Sequence, residues 1–458
     1  MPAEFRQSVH LPVPAREAFD WHARPGAFER LNPPWDPVRL ISRNGGLEDG
    51  GRVAFAVRLG PLRRRWIAEH RGFVDGRQFQ DVQVRGPFAE WEHTHTILPE
   101  GDSACELHDE IRYRLPAGAL GRLLGGRLTE RQLLRVFRYR HRTTAGDLAA
   151  HAKYSRGRAM RILVSGSGGL VGSQLCPLLT TGGHDVVPLT RPASKAESAV
   201  HWDPAAGTID RDMLDGFDAV VHLAGENIGD KRWSAKQKAN IRNSRVDGTK
   251  LLCETLASLD RPPKTLVCAS AIGYYGDRGD ETLDESSPPG EGFLPEVCRD
   301  WEAAGEPARE KGIRVVNARF GVVLSPQGGA LAKMLFPFKM CAGGVIGGGK
   351  QFWSWVALDD VITAILHALT TDALSGPVNV VAPHPVTNRE FTKTLGRVLG
   401  RPTILPMPAF LARLAFGEMA DDLLLAGARV LPERLQETGY EFRFPELEPA
   451  LRHLLGKG

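Results

Sequence analysis

The sequence predicts an α+β domain followed by an α/β domain built on a doubly wound parallel sheet. Three observations carry this. Residues 5–150 hold short extended segments punctuated by glycine and proline, and then one long helical pattern. The segment RILVSGSGGLVG, Arg161 to Gly172, is an apolar run, a glycine cluster and a helix start in that order. Beyond it, apolar strand-like runs alternate with helical stretches, which marks repeated βα units and a parallel sheet.

In the first domain, 38–42, 52–59, 65–74, 78–85, 91–98 and 105–115 read as strands, with a short helix over 14–22 and a longer one over 129–151. A curved antiparallel sheet wrapped on a long helix encloses an apolar cavity, and such a cavity suits a hydrophobic small molecule. Arg63, Arg64 and Arg65 read as a hairpin surface. Arg131, Arg135, Arg138 and Arg142 recur at helical spacing opposite Leu133, Leu134 and Phe137, as a solvated face does. His93 and His95 alternate on a strand without a third ligand, so they are expected on the sheet surface and no metal is expected.

Ser8–Phe19 (SVHLPVPAREAF) and the segment GPFAEWEHTH at 86–95, set in this order of elements, resemble the START-like helix-grip superfamily over about the first third of the chain. The resemblance implies a helix-grip ligand-binding domain over residues 1–152. The basic, polar stretch 153–159 then reads as a linker before Met160.

The second domain opens on Ile162, Leu163 and Val164, a run covered on both faces, and Val171, Leu175, Leu178 and Leu179 follow at helical spacing. Gly166, Gly169 and Gly172 fall at the junction, with Ser167, Leu170 and Val171 between them. Glycines there permit a tight turn, close approach of backbone to phosphate and close packing of helix on strand, as a dinucleotide pyrophosphate requires. The spacing is GxxGxxG rather than the commoner GxGxxG. Residues 185–190 read as the second strand, in which Pro188 is unusual because it removes a ladder donor. At its end stand Thr190 and Arg191, with Lys195 close behind, where an acidic residue would read a ribose 2′-OH; cations there favour NADP over NAD. Further strands are expected at 219–223, 265–269, 314–319 and 378–381, and a proline-bounded helical region over 402–457 is expected on the substrate side. Leu223, Ala224 and Gly225 end one strand and Arg319 another, and all four are expected against the cofactor.

The segments VHLAG at 221–225, RVDGT at 245–249, CASAIGYYG at 268–276, WVALDD at 355–360 and VNV at 378–380 together resemble extended short-chain dehydrogenase/reductases of the NAD-dependent epimerase/dehydratase class. Within it, AGENIGDKRW, IRNSRVDGT, SAIGYYGDRGDE and EVCRDWEAA are similar to a bacterial epimerase-family subgroup that also has a human member and a C-terminal extension. The resemblance implies a Rossmann-type domain over 160–401, the extension over 402–458, and oxidoreductase or epimerase chemistry on a small-molecule substrate. It also exposes a gap. The class pairs a tyrosine with a lysine four residues later, the ammonium lowering the phenol pKa; here Val297 and Trp301 hold those positions.

Tyr275 and Ser270 are the candidates left for proton transfer, and Glu226, Arg232, Trp233 and Tyr274 those for lining the substrate. Asp277, Asp280, Glu281 and Glu285 read as a solvated loop, and Cys298 and Arg299 sit on the helix that lacks the pair. GVIGGGKQ at 344–351 imitates a phosphate loop, but Gln351 replaces the magnesium-holding hydroxyl. Three readings stay open: an NADP-binding oxidoreductase with an unidentified substrate, a catalytically silent NADP(H)-binding module reporting redox state to the ligand domain, and an N-terminal domain that merely presents substrate to its neighbour.

Charge and cysteine usage set the remaining bounds. With 58 basic and 54 acidic side chains the formal charge is +4, so no nucleic-acid partner is expected. The six cysteines are far apart and lack zinc spacing, which fits reduced thiols in the cytoplasm. The N-terminus lacks an apolar signal core, and no apolar run approaches the roughly 20 residues of a membrane span. Oligomeric state is left open.

Overall fold

The structure, a computed structural model, describes residues 2–59, 62–155, 157–191 and 199–457. The chain forms two compact units, one built from residues up to Gly157 and one beginning at Arg158.

The first unit is a seven-stranded antiparallel sheet in the order β1-β7-β6-β5-β4-β3-β2, with β1 Ala3–Leu11, β2 Arg39–Asn44, β3 Arg52–Leu59, β4 Leu62–Val74, β5 Gln78–Arg85, β6 Glu90–Pro99 and β7 Cys105–Arg114. Period-two alternation fixes its inner face: along β7 the buried residues are Cys105, Leu107, Asp109, Ile111 and Tyr113. The helix Gly118–Ala150 packs Leu133, Phe137 and Leu148 against this face, beside Phe5, Leu11, Phe79 and Ile97. It begins eleven residues earlier than expected, and its first turns leave Leu120, Leu123, Leu124 and Leu128 exposed. The chain then continues in a π-helical turn, His151–Ser155.

His93 and His95 are not on the sheet surface. They share the inward parity of Ile97 and are buried at 2% and 6% exposure, with His70, Asp109 and His141 also buried. A histidine on a strand is ordinarily the polar half of the alternation, whereas here the polar residues face one another across the inner surface.

The second unit is an eight-stranded sheet. It comprises β8 Arg161–Ser165, β9 Asp185–Thr190, β10 Val200–Asp203, β11 Thr208–Ile209, β12 Ala219–His222, β13 Thr265–Ala271 and the strands Arg314–Phe320 and Gly376–Val380, in the order β11-β10-β9-β8-β12-β13-314/320-376/380. Only the β10–β11 pair is antiparallel. The chain runs outward from β8 to β11, then returns to β12 on the other side of β8. That reversal makes the carboxyl ends of β8 and β12 the place where an open α/β sheet binds its ligand. Pro188 is accommodated because β10 pairs only with Leu189 and Thr190, so the proline lies beyond that ladder.

Continuous apolar strands such as Ile162–Val164, fully buried, are covered by helices on both faces. Near the C-terminus, Asn388–Leu399 starts with a capping box between Thr387 and Glu390. Its Phe391 and Leu395 pack with Leu451 and Leu454 of the helix Leu447–Leu455. Among the described residues no helix is long and apolar enough to cross a membrane.

Candidate cofactor and substrate site

The backbone between β8 and the helix Gly172–Thr181 is compressed into a cradle. Gly166 adopts φ +69°, and a Cβ there would stand 2.8 Å from the Leu223 carbonyl carbon. A Cβ on Gly172 would stand 2.3 Å from the Gly166 carbonyl oxygen, whereas one on Gly169 would meet that oxygen at 3.2 Å. The Ser165 hydroxyl pins the floor: it shares a 2.7 Å hydrogen bond with His222 Nδ1 and accepts the Leu223 and Ala224 N–H groups at 3.1 and 3.3 Å. Burial pushes His222 down to about 4, so its ring is neutral. The Gly169 N–H closes the turn onto Gly166 O at 2.9 Å, while the N–H groups of Leu170, Val171 and Gly172 donate to no acceptor among the described residues. Unclaimed donors at a helix N-terminus, beside a glycine-rich turn, fit a pyrophosphate.

Ser165 is the register partner of Leu189, so Thr190 and Arg191 leave the sheet beside Gly166 and Ser167. Thr190 Oγ1 is buried and has no hydrogen-bond partner among the described residues, and Arg191 is exposed. A spare hydroxyl and a guanidinium fit a 2′-phosphate. Lys195 lies outside the described residues. Across the cradle, Leu223 and Ala224 are half-buried, Gly225 is exposed near the Arg245 guanidinium, and Leu170 packs on Gly328.

The loop after β12 carries three of the expected substrate residues. Glu226 is half-buried and accepts Gln237 Nε2 at 3.4 Å; Trp233 donates to Ile228 O and meets Phe293 edge-on; exposed Arg232 donates to Leu414 O at 3.3 Å.

Ser270, Tyr274, Tyr275 and Arg319 are brought together, but around a residue that sequence reasoning missed. Glu302 accepts Arg319 Nε and Nη2, both at 2.8 Å, and the Ser270 hydroxyl at 2.7 Å. Arg319 is 2% exposed; its Nη1 donates to the Tyr275 hydroxyl at 2.9 Å, and its Cζ lies 3.5 Å from the Tyr274 ring centroid. Tyr275 is fully buried, with Asn379 Oδ1 at 2.8 Å and Asp284 O at 2.9 Å as acceptors for its single proton, and burial pushes its phenol up to about 12. The network is closed. Arg319 faces Glu302 and Tyr275 rather than an open cofactor groove, and the Tyr275 proton is held by the core. Val297 and Trp301 are buried, with Trp301 Nε1 donating to Thr249 Oγ1 at 2.9 Å, so the positions of the missing pair are wall. Cys298 is buried and its thiol is pushed up to about 12, which leaves it inert. Of the acidic residues expected in a solvated loop, Glu285 is instead buried and accepts the Asn379 N–H at 2.9 Å.

An epimerase family protein of Mycobacterium bovis is 43% identical over 290 residues, 63% of this chain and 96% of that protein. The chain belongs to the epimerase family. Within this epimerase family chain, residues 162–381 match the NAD dependent epimerase/dehydratase family. Residues 11–137 match the polyketide cyclase/dehydrase and lipid transport family, and 407–454 a domain of unknown function. The crystal structure of a nucleoside-diphosphate sugar epimerase from Corynebacterium glutamicum is similar over 99% of this chain and 90% of that one, at 35% identity and TM-score 0.81. The human epimerase family protein SDR39U1, solved with NADPH, is similar over 65% of this chain and 99% of its own, at 36% identity and TM-score 0.60.

Proposed function

We propose that this epimerase family protein binds NADP(H) in the cradle after β8 and acts as an atypical oxidoreductase or epimerase on a small substrate, with a hydrophobic ligand held in the first unit. The observation that carries the cofactor reading is the glycine-rich 166–172 backbone, which leaves no room for side chains at Gly166 and Gly172 and presents three unclaimed N–H groups. Preference for the 2′-phosphorylated coenzyme is supported by Thr190 and Arg191 standing where a carboxylate would read a ribose, and by the human relative having been solved with NADPH.

When bound, the nicotinamide supplies a hydride acceptor or donor. The chain's own residues bind and orient. Leu170, Val171 and Gly172 hold the pyrophosphate by their N–H groups, and Arg191 pairs with the 2′-phosphate. Leu223, Ala224 and Gly225 form the opposite wall; Glu226, Arg232, Trp233 and Tyr274 line the substrate side. In this reading Ser270 and Tyr275 are positioning residues, whose bonds to Glu302, Arg319 and Asn379 fix the turn that carries Tyr274. Thermal-shift titration tests it: NADPH is expected to stabilise more than NADH, and Arg191→Ala to abolish the difference. Equal stabilisation by the two in the parent chain overturns the preference.

The closed Tyr275 network favours a second reading, an NADP(H)-binding module without turnover whose occupancy reports redox state. Incubation with a metabolite extract and hydride-labelled NADPH separates the two: label transfer supports the enzyme, and its absence supports the sensor.

A further inference from the structure

We propose that the first unit carries a binding site for a divalent first-row transition metal ion, made by His93, His95 and Asp81 inside its antiparallel sheet. Strand register assembles it. His70 on β4 is paired with Asp81 on β5, Asp81 with His93 on β6, and His95 on β6 with Asp109 on β7. Side chains at paired positions share a face, so four neighbouring strands bring three imidazoles and two carboxylates to one place. The long helix adds His141.

Two carboxylates orient the rings. Asp109, itself 3% exposed, has His93 Nε2 at 2.9 Å and His95 Nδ1 at 2.7 Å from its Oδ1, and His141 Nε2 at 2.6 Å from its Oδ2. An ionised carboxylate only accepts, so His93 Nε2 and His141 Nε2, which are hydrogen-bonded to Asp109, carry the protons, whereas His95 Nδ1 lies close to Asp109 without hydrogen-bond geometry. The other nitrogens, His93 Nδ1 and His95 Nε2, turn toward Asp81 Oδ2 at 4.0 and 3.5 Å, and Asp81 Oδ1 has His70 Nδ1 at 3.0 Å. One ligand atom from each of Asp81, His93 and His95 lies within 4.8 Å of the other two.

A metal ion can be shared by all three ligand atoms at once, which a single proton cannot. Ligand atoms about 2.0–2.2 Å from a tetrahedral ion stand about 3.3 Å apart, so separations of 3.5 and 4.0 Å need only a small contraction. Two imidazoles and one carboxylate suit iron(II), zinc or cobalt(II) rather than calcium or magnesium. Hydrogen-bonded carboxylates behind metal-binding imidazoles are the usual means of fixing tautomer and aim. Asp109 stands in that place for His93. Two aromatic rings flank the cluster: Phe79 stacks on His95 at 4.3 Å and Phe137 meets His93 edge-on at 5.3 Å.

The test uses the untagged full chain, stripped with a chelator and titrated with zinc chloride and, separately, cobalt(II) chloride. One equivalent is expected to bind, cobalt giving the visible absorption of an imidazole-ligated ion. Asp81→Asn and His93→Ala are each expected to weaken binding at least tenfold. The NADPH-induced shift in melting temperature and the far-ultraviolet circular dichroism should be retained, reporting that the protein is folded. If His93→Ala does not fold, Asp81→Asn, which keeps shape and removes one charge, carries the comparison. Less than a tenth of an equivalent bound to the parent chain, or equal affinity in the parent and the folded variants, overturns the proposal.

Discussion

Replacing Gly172 by alanine is the most direct perturbation of the cradle. The new Cβ would stand 2.3 Å from the Gly166 carbonyl oxygen and 2.7 Å from the Ser167 Cα, both backbone atoms of a turn that Ser165 and Leu223 hold from below. Ordinary contact needs roughly 1 Å more, and overpacking of this kind costs about 1–3 kcal/mol of stability. The same displacement moves the Leu170–Gly172 N–H groups relative to a bound phosphate. A hydrogen bond to a charged group is worth about 1.5–3 kcal/mol, so misaligning one weakens NADPH about 10- to 100-fold. Gly168 supplies the control, because a Cβ there meets nothing within 4 Å; Gly168→Ala should change stability by less than about 0.5 kcal/mol. Urea denaturation gives the stability difference and fluorescence titration with NADPH the affinity. Unaltered NADPH affinity in Gly172→Ala, or equal damage from Gly168→Ala, would refute the reasoning.

Three further outcomes follow from the buried groups. Glu302→Gln leaves the Arg319 guanidinium buried with its charge unpaired, and should cost about 3–5 kcal/mol by denaturant titration; a loss below about 1 kcal/mol would show that the network is not closed. Tyr275→Phe strips a donor from Asn379 Oδ1 and an acceptor from Arg319, so a loss of about 1–3 kcal/mol is expected with the NADPH shift retained; unchanged stability with lost turnover would restore Tyr275 as the proton carrier. His222 is held at about 4 in the folded chain against 6.5 for a free histidine, so the unfolded chain takes up its proton first as pH falls. Its contribution to stability is intact above 6.5 and declines from there down through 4, by roughly 3 kcal/mol at most. His222→Asn should flatten that part of the stability profile relative to the parent, and an identical slope in both would contradict the burial argument.

The parallel sheet was legible because its strands are unbroken apolar runs and its glycines sit where backbone must approach backbone. Gly166 and Gly172 are cases where the structure leaves no room for a side chain. Glu302 was not legible. It lies on a helix whose sequence neighbours, Val297, Cys298 and Trp301, are buried wall, and nothing in the spacing says that a strand 17 residues on returns an arginine to it. The histidine cluster was missed for a related reason. Each strand contributes one or two polar residues, and only the register between strands reveals that they meet. The available signal was parity, since His93 and His95 fall in step with the core residue Ile97.

A crystal structure of the full chain grown with NADPH tests the central claim most directly. The account predicts the pyrophosphate seated on the N–H groups of Leu170, Val171 and Gly172, with the 2′-phosphate against Thr190 and Arg191. A coenzyme bound elsewhere, or one whose 2′-phosphate points away from Arg191 into solvent, would contradict it.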